Sequence, residues 1–140
     1  MPFVVPVIHH VSNDLTYKNV HLAREAGCHG VFLINHDATV PDSVLNEPAV
    51  AIKLAYPSWF VGTNRLGQSP LEAIRVDAAL GLDATWCDAP GMSSSGVDRM
   101  GAYTVQAYEE VVGRYPHFKL FASVAFKYQE AEPFPARAAR

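Results

Sequence analysis

Charge is scarce in this sequence. Lys, Arg, Asp and Glu together make up 18% of the chain, the formal net charge is -3, and no run of Lys or Arg occurs. That excludes the electrostatic footprint of a nucleic-acid or anionic-membrane binder. Long apolar runs are missing as well. Pro2 and the pair His9 and His10 interrupt the N-terminus, and no span of about 20 apolar residues follows. Neither a signal peptide nor membrane insertion is expected, and the expected location is the cytoplasm. Cysteine is limited to Cys28 and Cys87, without CxxC spacing, which fits a reducing compartment better than a disulfide scaffold. Both read as small buried residues. Cys87 lies near a strand end, where a nucleophile would need a lowered pKa and access. Nucleotide-binding signatures are absent too, with no P-loop and no GxGxxG after the first apolar run.

What the chain does have is apolar mass. At 140 residues and 49% hydrophobic it can bury the core of one α/β domain, residues 1–140, with no internal boundary. Short apolar runs alternate with helical patterns, the signal for βαβ units and a parallel sheet. The spacing predicts strands at about 3–8, 30–34, 59–63, 84–87 and 119–124. Helices fall at Leu15 to Ala26, at about Glu47 to Ala55, from Ser69 to Leu80, and at about Tyr103 to Arg114. Gly27 and Gly81 are placed to end the first and third. Ser69-Pro70-Leu71-Glu72 is the sharpest local signal, a capping serine with proline at the first helical position and a glutamate completing the box. The tail, 128–140, has no period and reads as irregular.

Five βα-type steps leave two architectures. One is part of a TIM-type (β/α)8 barrel; the other is an open five-stranded flavodoxin-like sheet. Strand order decides: 1-2-3-4-5 means barrel and 2-1-3-4-5 means flavodoxin-like. A barrel portion would leave strand edges and interior layers uncovered, so a homo-oligomer covering the open edges is expected.

In both architectures ligands bind at the carboxyl ends of the strands. Side chains on a strand alternate faces, so stepping by two puts His9 in phase with Val5 and Val7, and Asn35 with Val31 and Leu33. The same stepping puts Asn64 with Phe60 and Gly62, Asp88 with Ala84 and Trp86, and Lys127 with Phe121 and Ser123. These five residues can face one pocket if all five phases point inward. Such a set supports acid/base work on a small polar molecule. His9 and Asp88 would move protons, with Lys127 as electrostatic stabiliser or Schiff-base former, and Asn35, Asn64, Arg65 and His36 would bind substrate. His9, His10, His36, Asp37 and Asp88 also raise a divalent metal, but no pair has a helix-face spacing such as HExxH, so neither a metal nor another cofactor is assigned. The loop Ala89 to Asp98, rich in Gly and Ser, reads as a lid over the strand ends.

The segments IHH, EAGCHGVFLINHDATVP, VGTNRLGQSPLEAIRVDAALGLDATWCDAPG and FKLFASVAFK resemble the BtpA (BtpA/SgcQ) family, TIM-barrel-like proteins named after a photosystem I biogenesis factor. The resemblance spans nearly the whole chain, and its strand-end positions coincide with His9, Asn35, Asn64, Asp88 and Lys127. Four positions depart from the family pattern. Ile34 stands for an acidic residue, Asp88 for an asparagine, and Ser123 and Ala125 for an Asp and a His. The resemblance implies a lyase or isomerase acting on a small phosphorylated or sugar-like metabolite. The departures, and a chain that ends after the fifth strand, favour instead a non-catalytic assembly or scaffold factor. A truncated product is the third reading.

Overall fold

The computed structural model describes residues 2–123 together with Pro133, Phe134 and Ala136. Five parallel strands form one sheet in the order β1-β2-β3-β4-β7. They are β1 (Val7–His10), β2 (Gly30–Asn35), β3 (Phe60–Asn64), β4 (Ala84–Cys87) and β7 (Lys119–Ala122), joined through α1 (Asn13–Glu25), α2 (Asn46–Ala55), α3 (Pro70–Ala79) and α4 (Arg99–Arg114). Within this sheet the strands follow chain order, which is the barrel order and removes the flavodoxin-like alternative.

The ring contacts show that the sheet curls. Phe32 on β2 and Phe121 on β7 lie three strand spacings apart, about 14 Å in a flat sheet, yet their ring centroids are 5.2 Å apart. Small residues make this possible. Gly62 and Ala84 occupy the positions in register with Phe32 on β3 and β4, so the Phe32 ring lies across them to reach Phe121. A Cβ on Gly62 would stand 2.4 Å from Cε1 of Phe32. The concave face thus carries an edge-to-face cluster of Phe32, Phe60, Trp86 and Phe121.

The convex face is the hydrophobic core. Ile8, Val31, Leu33 and Val61 pack against Val20 of α1 and Ala49 and Ile52 of α2. A second cluster joins Ile74 and Ala78 of α3 to Ala107 and Val111 of α4 and to Phe118.

The elements begin and end for local reasons. Ser12 caps α1 by accepting from Leu15 N, and Asp98 caps α4 by accepting from Gly101 N. The capping box at α3 is formed as the sequence indicates. Gly27 and Gly81 take positive φ of 78° and 74° just past α1 and α3, where a side chain would be strained. Most boundaries fall within two residues of expectation, and three features differ more. The first strand starts at Val7, not Phe3, because Pro6 has no N–H to give the ladder, and it runs on to His10. A 3-10 turn, Asp42–Leu45, precedes α2. The loop after β4 contains a two-stranded hairpin, β5 (Met92–Ser93) with β6 (Gly96–Val97), and α4 starts at Arg99 instead of near Tyr103. Val124 and nearly all of the tail lie outside the described residues. Among the described residues no helix is long and apolar enough to cross a membrane.

Candidate active site at the strand ends

The concave face ends in a polar rim. Register aligns His9 of β1 with Ile34 of β2, Ile34 with Asn64 of β3, and Asn64 with Trp86 of β4, so His9 and Asn64 top the same face as the aromatic cluster. Asp88 follows Trp86 by two residues, and Asn64 donates from Nδ2 to its Oδ1 at 3.0 Å. Asn64 is buried, Asp88 half-buried and His9 exposed. The exposed ring of His36 stands edge-on to that of His9, centroids 5.8 Å apart. Four of the expected residues, His9, His36, Asn64 and Asp88, therefore sit on the concave side.

Asn35 does not join them. It shares its phase with Val31 and Leu33, which face the helices, and so points behind the sheet. There Nδ2 donates to the carbonyl of Val40 at 2.7 Å, and Oδ1 accepts from Asp37 N at 3.2 Å. The expectation that all five phases point inward fails at this residue: Asn35 organises the loop after β2. Arg65 does not face the concave side either. Its side chain is fully buried on the convex side, where Nε donates to Oδ1 of Asp77 at 2.8 Å and Nη1 to the carbonyl of Asp42 at 3.1 Å. Lys127 lies outside the described residues.

Asp77 is the residue the motifs did not single out. It is fully buried on α3 and also accepts from Thr63 and Thr85 hydroxyls at 2.6 and 2.5 Å. Burial pushes its carboxyl up from the ordinary aspartate range, opposed by the Arg65 guanidinium and the two threonines. An acid within the stripe Ala73, Ile74, Asp77, Ala78 was the available signal, since a charge on a helix's buried face needs a partner. The network clamps the loop after β2, the end of β3 and the start of β4 beneath the rim. Asp42 extends it by accepting from Gly67 N at 2.7 Å.

Cys87 belongs to the same convex layer. Burial, with Asp77 and Asp88 nearby, pushes its thiol up to about 12. It is a thiol at neutral pH, the opposite of an activated nucleophile.

Two cavities open at this end of the sheet. One of about 610 Å³ lies between the loops after β2 and β3, lined by residues including His36, Asp42 and Gln68. Another of about 130 Å³ sits over the ends of β3 and β4, lined by residues including Asn64, Arg65, Trp86 and Asp88. A third space, of about 420 Å³, is the open aromatic face itself, bordered by Phe3, Phe32, Trp86 and Phe121. Among the described residues, no three His, Cys, Asp or Glu side chains form a group that could hold a metal ion.

An α/β chain with parallel strands in barrel order and polar groups at their carboxyl ends is a TIM-barrel-type protein. It is similar to the structure of a probable mandelate racemase from Alicyclobacillus acidocaldarius, with 15% sequence identity and a TM-score of 0.52. The match covers 89% of this chain and 42% of that one, so the chain spans less than half of the neighbour's length. No family model and no curated protein matches the sequence.

Proposed function

We propose that the protein is an enzyme of the isomerase or lyase type that moves a proton on a small polar metabolite, phosphorylated or sugar-like, at the rim of the concave face. The observation that carries this is the Asn64–Asp88 hydrogen bond, which holds a carboxyl group on the same concave rim as His9 and His36. Imidazole and carboxyl groups are the side chains most used for general acid–base catalysis. In this reading one of His9 and Asp88 takes a proton from the substrate and the other returns one to it, His36 orients the His9 ring, and Asn64 orients Asp88. Lys127 remains the proposed electrostatic stabiliser. The likeness to a probable mandelate racemase supports the reading at the level of fold, and the proposed BtpA-type ancestry rests on the sequence segments given above.

The test is exchange of carbon-bound hydrogen. The protein is incubated in deuterium oxide with a panel of small hydroxy acids, sugars and sugar phosphates, and deuterium incorporation is followed by NMR. Incorporation that disappears in both His9→Gln and Asp88→Asn is the expected result. Incorporation with none of the panel, or full activity in both variants, overturns it.

The exposed aromatic face favours one addition. Phe3 is 63% and Phe121 41% exposed, contiguous with the Phe32 cluster. A second copy of the chain is the proposed cover, which is also what a scaffold-type role would use.

A further inference from the structure

The cavity of about 130 Å³ over the ends of β3 and β4 is walled by groups of unequal satisfaction. Arg65 lines it, and its side chain is fully buried; two of its three nitrogens are engaged by Asp77 and Asp42, while Nη2 has no hydrogen-bond partner among the described residues. Gln68, which stands between this cavity and the larger one beside it, lines it as well, and its buried Oε1 is likewise unpartnered among the described residues. Buried polar groups in folded proteins almost always find a partner, so two orphans on residues that line one cavity point to a ligand there.

The donor and acceptor inventory narrows what that is. Arg65 Nη2 can only donate. The Gln68 amide end accepts through Oε1 and, turned over by half a rotation, donates through its NH2. A hydroxyl both donates and accepts, and so satisfies either orientation of Gln68 together with Arg65. A phosphate or carboxylate would suit Arg65 but would also meet Asp88, which lines the same cavity, a like-charge contact. The volume is about four times the ~30 Å³ that a water molecule occupies in the liquid, enough for a short hydroxylated carbon fragment.

We propose that this cavity is the subsite for the uncharged, hydroxylated end of the substrate, a polyol or sugar fragment held by Arg65 Nη2 and the Gln68 amide. The inference builds on the proton-transfer reading only in taking the ligand to be that enzyme's substrate; the binding itself does not require turnover. The subsite selects for hydroxyl groups over free anions.

The experiment is an NMR titration of the whole chain with glycerol, dihydroxyacetone, inorganic phosphate and acetate. The Gln68 side-chain amide and Arg65 Nε–H signals are followed. Saturable shifts with the two polyols, and none with phosphate or acetate, are expected. Gln68→Met, with its spectrum otherwise unchanged, should weaken polyol binding about tenfold. Absence of saturable polyol shifts, tighter binding of phosphate at the same signals, or unaltered affinity in Gln68→Met overturns the subsite. Since the wild-type titration stands without the variant, a Gln68→Met chain that fails to fold leaves the question decided by the ligands. His9→Gln separates the two proposals. Polyol shifts that survive in this variant while wild-type exchange is absent overturn the catalytic reading alone; exchange without polyol shifts overturns the subsite alone.

Discussion

Arg65 and Asp77 meet at 2.8 Å with both side chains wholly withdrawn from water. One comes from the residue after β3 and the other from the third turn of α3, so the pair fixes how that helix seats under the strand ends. Removing two charges from water is costly, and the bond is kept at that cost only because Thr63, Thr85 and Asp42 complete the network. Asp77→Asn should therefore destabilise the fold by about 1–3 kcal/mol, since an amide cannot accept from Arg65, Thr63 and Thr85 together as the carboxyl group does. The double variant Arg65→Met with Asp77→Leu should recover much of that loss. Urea unfolding at pH 7 measures both.

The pH dependence of the same pair has a definite sign. Burial raises the Asp77 carboxyl above its unfolded value, so the folded state holds this proton more readily than the unfolded one. Its contribution is fully present below the unfolded pKa of about 3.9 and is lost as pH rises through the raised folded value. The stability gap between wild type and Asp77→Asn should thus narrow on going from pH 4 to pH 7, with all other titrations cancelling in the difference. A gap that widens over that range contradicts the assignment.

The two cysteines should be chemically distinct. Cys87 is buried with its thiol pushed up to about 12, whereas Cys28 is only half-buried. Thiolate is the reactive form. A disulfide reagent such as DTNB at pH 8 should modify Cys28 first and leave Cys87 untouched until the protein is unfolded. Rapid release of two equivalents from the native protein would mean that the convex layer over Cys87 opens.

Gly62 is required by a ring. A Cβ at this position would press on Phe32 and, at 2.9 Å, on the carbonyl of Ala84. Gly62→Ala should cost about 1–3 kcal/mol, as overpacking does. It should also change the near-ultraviolet circular dichroism, because the Phe32 ring must leave its place between Trp86 and Phe121.

Self-association should run through the concave aromatic face. If a second copy covers it, Phe121→Lys lowers the mass seen by light scattering while leaving the thermal melt cooperative. Unchanged mass in that variant, or a wild-type monomer at micromolar concentration, removes the proposal.

Much of this protein was legible in its residues. The period of the apolar runs and the caps at Ser69, Gly27 and Gly81 located the alternating strands and helices, because these signals act within one or two turns of chain. Polar strand ends were legible for the same reason. His9, Asn64 and Asp88 could be placed by counting in twos along each strand. Which face each count referred to was not. A parallel strand covered on both sides is apolar on both sides, so FVVPVI or GVFLI gives no inside or outside, and Asn35 was assigned to the rim although it belongs behind the sheet. The partnership of Arg65 with Asp77, the curl that brings Phe32 to Phe121, and the meeting of Asn64 with Asp88 join residues 12 to 89 positions apart. The sequence determined the elements and their order; only tertiary structure decided which faces meet, because burial and charge pairing depend on contacts that no local period records.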